Sequence, residues 1–258
     1  MPKNTSKRLH LLDEIRGFSI ICMVFFHGFY LAASIFSSDT ASTLYNFFYP
    51  AEPYFAGLFI LISGIASMLS RSNLKRGLIL AGVSLALNII TFLLPKIGIP
   101  TPPIYFGILN LLAVCMLLIA ALMPLIKKIS PLIGMAVCIC LYIVFMNLQK
   151  GYIGIPPLSV NLPNAVMNNP YIFPLGIYTS GFASGDYFPV IPWVFVFLFG
   201  AHLGVYAQKG KFPKFASNEH IRPLGFVGRH TLIVYIAHQP IIYGICFAIS
   251  KLTGGNSI

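Results

Sequence analysis

Two ionisable side chains, Arg16 and His27, stand eleven residues apart in an otherwise apolar run. Eleven residues turn an α-helix through about 1100°, so the two are offset by only about 20° and lie about 16 Å apart along the axis. A guanidinium holds anions and an imidazole titrates near neutrality, so one helix face carries an anchor at one depth and a proton acceptor at another. The competing structural roles are a snorkelling arginine and a histidine bonded to a neighbouring carbonyl or hydroxyl. His238, in Tyr235-Ile236-Ala237-His238-Gln239-Pro240, follows Gly228 by ten residues. That spacing is about 15 Å of rise and predicts a depth similar to that of His27. Pro240 has no N–H to give Ile236, so a kink is expected beside the histidine.

Further polar residues fall in apolar surroundings. Asn88 is expected about 15 Å into its span, and Asn110 about 9 Å from the opposite end of the next. Each serves either a ligand or a helix-to-helix bond. His202 stands in Gly200-Ala201-His202-Leu203-Gly204, where small neighbours permit close packing. Asp186, in Gly185-Asp186-Tyr187-Phe188-Pro189, marks a mouth at which a cationic or hydroxylated acceptor can bind; helix N-capping is the alternative. Arg16, Arg71, Arg76, Arg222 and Arg229 are expected on one rim, a receptor for a phosphate-rich ligand, although loop arginines also serve topology alone. No Gly-rich phosphate loop, metal-ligand spacing or Ser/His/Asp order is present in the sequence. The five cysteines (Cys22, Cys115, Cys138, Cys140, Cys246) lie in apolar runs and read as small fillers.

The elements that position these groups are membrane spans. The chain has 258 residues, 57% apolar and 9% charged, against about 25% charged in a soluble domain. A spanning helix needs about 20 mostly apolar residues. Seven candidates follow, at 15–36, 54–69, 78–94, 104–123, 131–147, 191–206 and 231–252, in one all-α, single-domain bundle over 1–258. The loop 148–190 is long, and its segment 169–182, broken by Pro170, Pro174, Gly176 and Gly181, reads as re-entrant or interfacial rather than spanning. The first run is long and lacks a processing site, so it is expected to stay as an anchor.

Charge placement sets the orientation. With the N-terminus cytoplasmic, Lys3, Lys7, Arg8, Arg16, Arg71, Lys75, Arg76, Lys127, Lys128, Lys209, Lys211, Lys214, Arg222 and Arg229 fall inside. Lys96, Lys150 and Lys251 fall outside, a split of 14 to 3 that alternates loop by loop. The net charge of +11 therefore belongs to membrane edges and not to a nucleic-acid partner. No inverted repeat is visible, which weakens a small-molecule or proton-coupled transporter, the alternative reading. Oligomeric state stays open, with a homodimer the commonest closed assembly.

Several stretches together resemble a known family. They are Leu12-Asp13-Glu14-Ile15-Arg16-Gly17 with His27; Phe59-Ile60-Leu61-Ile62-Ser63-Gly64; Phe106-Gly107-Ile108-Leu109-Asn110; Tyr187-Phe188-Pro189-Val190-Ile191-Pro192-Trp193; and Gly228-Arg229-His230-Thr231-Leu232 with Tyr235 and His238-Gln239-Pro240. The sequence resembles bacterial members of the heparan-alpha-glucosaminide N-acetyltransferase catalytic-domain family, and more widely the transmembrane acyltransferase superfamily. The resemblance implies a multi-pass enzyme of the cytoplasmic membrane. Acetyl-CoA, the implied donor, would rest its phosphates on Arg16, Arg71, Arg76, Arg222 and Arg229. Its acetyl group would pass near His27 to an extracytoplasmic amine or hydroxyl, as on a sugar, with Asp186 and Asn88 toward that acceptor. Under this reading His27 is the general base or an acyl carrier, and Asn110, Asn88 or a protonated His238 donates to the oxyanion.

Overall fold

The computed structural model describes residues 8–252. Lys3 and Lys7, counted above among the inside charges, lie outside the described residues. In chain order the elements are α1 (His10–Ser34), α2 (Asp39–Phe48), α3 (Glu52–Met68), α4 (Asn73–Leu93), α5 (Ile108–Lys128) and α6 (Pro131–Phe145). A hairpin of β1 (Tyr152–Ile155) and β2 (Leu158–Asn161) follows, then the single turn α7 (Asn164–Met167), α8 (Val190–Gln208), α9 (Arg222–Arg229) and α10 (Thr231–Leu252). Among the described residues seven segments are long and apolar enough to cross a membrane. The protein is thus an all-α, multi-pass membrane protein, as expected.

Local chemistry moves several boundaries. The second span begins at Asp39 rather than 54, because α2, a 3₁₀ turn at Tyr49–Ala51 and α3 run on as one stretch, Asp39–Met68. Ser38 caps α2 by accepting from Ala41 N (3.3 Å), and Pro50 and Pro53 fall at helix starts, where no N–H is missed. The fourth span begins at Ile108, not 104. Phe106 forms a bridge to Tyr187, and Phe188 N donates to Phe106 O (3.0 Å), which keeps residues 101–107 out of the helix. Asn110 therefore lies in the first turn of α5 and not about 9 Å inside it. Segment 169–182 contains one 3₁₀ turn, Phe173–Leu175, and is otherwise turns and irregular chain. The hairpin within 148–190 was not foreseen, and α10 continues through Pro240.

The described residues divide into two compact units, 8–62 with 212–252, and 63–211. In the first unit α1 packs against α2, α9 and α10. Helix α9 meets α1 backbone to backbone: a Cβ on Gly17 would strike the Leu224 carbonyl, and one on Gly228 would strike the Asp13 carbonyl. Only glycine at both positions allows this approach, the small-residue packing that membranes favour.

In the second unit α4 packs on α5, and α8 on both α5 and α6. Helix α5 supplies the core, with Ile108, Leu111, Leu112, Cys115, Met116 and Ile119 buried at the 3–4 spacing of one helical stripe. Helices α4 and α6 turn apolar side chains outward, among them Leu78, Leu85 and Ile89 of α4 and Leu132, Ile133 and Val137 of α6. Gly64 lies against the Phe197 carbonyl, and Gly134 against the ring of His202, which is buried as its small neighbours suggested.

Candidate active site

The sharpest juxtaposition is a pair of histidines in the first unit. His27 of α1 and His238 of α10 bring their rings to 5.3 Å between centroids, inclined at 45°. The equal depth expected from their spacings is therefore a lateral contact. His238 is 5% exposed and His27 half-buried. His238 Nδ1 lies 2.6 Å from the Tyr235 carbonyl. A carbonyl only accepts, so Nδ1 carries the hydrogen and donates it, and whenever the ring is neutral Nε2 holds the lone pair. The Tyr235 ring packs 5.5 Å from the same imidazole. Gly28 follows His27 on the α10 side, where a Cβ would touch Ile242 at 3.6 Å, an ordinary contact.

The start of α1 carries the charged groups of this unit. Asp13 accepts from Arg8 Nε (2.9 Å) and pairs with Arg16 at 3.5 Å. Glu14, 4% exposed, accepts from His220 N (2.6 Å) and Ile221 N (3.0 Å) through the same oxygen. Those N–H groups stand at the start of α9, whose N-cap, Ile221, has no capping side chain. Glu219 pairs with Arg222 (3.3 Å) and more loosely with Arg229 (3.9 Å). Of the five arginines expected on one rim, Arg16, Arg222 and Arg229 belong to this unit, and the exposed Arg71 and Arg76 to the other.

Glu14 was missed as a site residue. Its sequence signal was only a second acid in the Leu-Asp-Glu-Ile-Arg-Gly stretch, and its partners lie more than two hundred residues away.

The remaining expected residues sit in the second unit and make structural bonds. Asp186, 5% exposed, accepts from Ile108 N (3.0 Å), so the capping alternative is present, on α5 rather than on the span that follows Asp186. Gly107 makes room, since a Cβ there would meet the Asp186 carboxylate. Asn110 Oδ1 accepts from Gly107 N (3.1 Å), which leaves its amide N–H groups as donors. Asn88 Nδ2 donates to the Tyr105 carbonyl (3.2 Å) and ties α4 to the segment before α5. Tyr187 donates to the Phe173 carbonyl (2.6 Å), and burial, with Tyr178 nearby, pushes its phenol well above the usual range.

A cavity of about 530 Å³ also lies in the first unit, lined by Phe18, Cys22, Phe25 and Phe29 of α1 with Phe48 and Phe55 among others. At 100° per residue these α1 side chains centre roughly 160° around the helix from Arg16 and His27. The cavity is thus on the opposite face of α1 from the histidine pair, and its aromatic lining offers nothing to a charged donor.

The family model described as heparan-alpha-glucosaminide N-acetyltransferase, catalytic, matches residues 8–240. No curated protein and no solved structure matches the chain.

Proposed function

The chain belongs to the heparan-alpha-glucosaminide N-acetyltransferase catalytic family, and from that premise we propose that it transfers an acetyl group from cytoplasmic acetyl-CoA to an amine or hydroxyl presented from the far side of the membrane. A membrane enzyme of the acetyltransferase type is what the family implies; donor, acceptor and direction are our reading. The observation that carries it is the His27–His238 contact, two imidazoles at 5.3 Å inside the helical bundle of the first unit. Intramembrane ionisable groups are costly and mark functional interiors.

The chemistry follows from these side chains. The acceptor nitrogen or oxygen attacks the thioester carbonyl carbon while His27 takes its proton, a contribution of about 10²–10⁴ in rate. Collapse of the tetrahedral intermediate breaks the C–S bond, and the proton returns to the departing thiolate. His238, with Nδ1–H held on the Tyr235 carbonyl, presents a basic Nε2 beside His27 and shares the proton. Near the start of α1, Arg16, Arg222 and Arg229 take the donor's phosphates. Their acidic partners leave them able to do so. Each guanidinium has five N–H donors, the Glu219 contacts are single and as long as 3.9 Å, and the Arg222 side chain is 88% exposed. The lysines and arginines that alternate between helix ends support the cytoplasmic placement of this end.

Thermal unfolding of the purified protein with acetyl-CoA tests the reading. At one hundred times Kd a ligand stabilises by about 2.7 kcal/mol, and thiol release on adding amino sugars reports turnover. Absence of both stabilisation and thiol release with every acyl-CoA overturns it.

A further inference from the structure

We infer that Glu14 is a positioning residue for the donor site: its buried carboxylate fixes α9, and with it Arg229 and Arg222, against Arg16 of α1. The inference rests on the reading that these arginines hold the donor's phosphates. It begins from a deficit in α9. An isolated helix start leaves backbone N–H groups unsatisfied, and a Ser, Thr, Asp or Asn at the N-cap normally accepts from them. Helix α9 has Ile221 there and Pro223 just inside, so it carries no cap of its own. One oxygen of Glu14 instead holds the chain as it enters the helix, accepting from Ile221 N (3.0 Å), the N–H of the N-cap residue itself, and from His220 N (2.6 Å), just outside the helix. A carboxylate on two N–H groups makes charge-assisted bonds, stronger than neutral ones.

Three further observations give this bond a role beyond local stability. Gly17 and Gly228 bring the backbones of α1 and α9 together, and Glu14 makes a polar tie across that seam. Around Gly225 the groups converge: a Cβ there would lie 3.5 Å from Arg229, 3.7 Å from Glu14 and 3.8 Å from Glu219. Glu219, one residue before the held N–H groups, pairs with both Arg222 and Arg229. A shift of the 219–221 segment therefore moves two of the three arginines at once, while Arg16 stays paired with Asp13 on α1. Arg16 lies one turn or less from Glu14, so a single helix turn sets one arginine directly and the other two through α9.

Glu14 also carries a negative charge near the arginines, and the sign of its variants separates the two effects. Glu14→Gln removes the charge but keeps an oxygen able to accept both bonds; Glu14→Ala removes both. Acetyl-CoA affinity is measured by ligand-dependent thermal stabilisation and by KM where turnover is observed. Positioning predicts that Glu14→Ala weakens binding about tenfold, the fold-change matching the loss of one hydrogen bond to a charged acceptor, with kcat changed much less than KM. It predicts that Glu14→Gln stays within about threefold of wild type. Tighter binding by both variants would mean that the charge matters and the placement does not. Unchanged affinity in Glu14→Ala, with only a lower Tm, would make the residue merely structural; either result overturns the inference. If Glu14→Ala does not fold, Glu14→Asp takes its place: it keeps the charge, draws the carboxylate back by one methylene and is expected to weaken binding about threefold, and unchanged affinity there overturns the inference equally. Wild-type protein that shows no acyl-CoA binding would instead remove the donor reading itself.

Discussion

Replacing Gly17 by alanine adds one methyl group, and the structure sets its cost. The new Cβ would fall on the Leu224 carbonyl and within 3.0 Å of Gly228 N, both backbone atoms of α9 that no rotamer change can move. Helix α9 must retreat by on the order of 1 Å, which forfeits a quarter to a half of the dispersion attraction at the seam. The same retreat stretches the Glu14 bonds from 2.6 and 3.0 Å to lengths at which they no longer count as hydrogen bonds. Overpacking costs about 1–3 kcal/mol and the lost charge-assisted bonds about 1.5–3 kcal/mol each, against about 1 kcal/mol regained in helix propensity. The docking of α9 should therefore weaken by about 3–8 kcal/mol. Two controls bracket the value. Gly28→Ala makes only an ordinary contact with Ile242 at 3.6 Å, and Gly244→Ala meets nothing within 4 Å. The first should be near neutral and the second neutral to about 1 kcal/mol stabilising. Hydrogen exchange in detergent over residues 219–229, with thermal unfolding, reads all three. Protection in Gly17→Ala equal to that in Gly244→Ala would refute the backbone-contact argument.

Other changes test the remaining contacts. His27→Ala should abolish acetyl transfer while leaving acetyl-CoA stabilisation intact, and His238→Ala should lower kcat by about 10²-fold or more; full turnover in either removes that residue from the chemistry. Asp186→Ala uncaps α5 and should destabilise by about 1–2 kcal/mol, whereas Asp186→Asn keeps an acceptor for Ile108 N and should lose less, as compared by Tm. Gly134→Ala drives a methyl into the His202 ring and should cost about 1–3 kcal/mol. The double variant Gly134→Ala/His202→Ala should recover part of that loss, and strict additivity of the two Tm changes would argue against the contact.

The spans were legible because hydropathy and charge alternation are local and periodic signals, and the bilayer enforces both. The 16 Å offset of Arg16 and His27 was legible for the same reason, since both stay on one unbroken helix, α1. What failed was local in another sense. Residues 104–107 are apolar enough to read as helix, but their backbone is claimed by Tyr187 and Phe188, some eighty residues on, and a hydropathy window contains no such partner. The displacement of Asn110 into the first turn of α5 follows from that one competing pairing.

Glu14 shows where such reading stops and why. In the sequence it is one of two adjacent acids, and Asp13 is the one that pairs with the nearby arginines. The difference between the two is angular: 100° of helical rotation turns Asp13 toward Arg8 and Arg16, and Glu14 toward the chain at 220–221. That chain lacks a cap, a deficit visible in Ile221-Arg222-Pro223, where Pro223 announces a helix start and no Ser, Thr, Asp or Asn stands at the cap. The backbone N–H groups at the entry to one helix and a buried acid on another are complementary, each readable alone. Joining them needs the two glycine contacts that bring α1 and α9 together, Gly17 on Leu224 and Gly228 on Asp13. The motif glycines thus do more than permit close packing: they set the register in which a carboxylate on α1 holds the chain at the entry to a helix more than two hundred residues away and settles where its arginines stand.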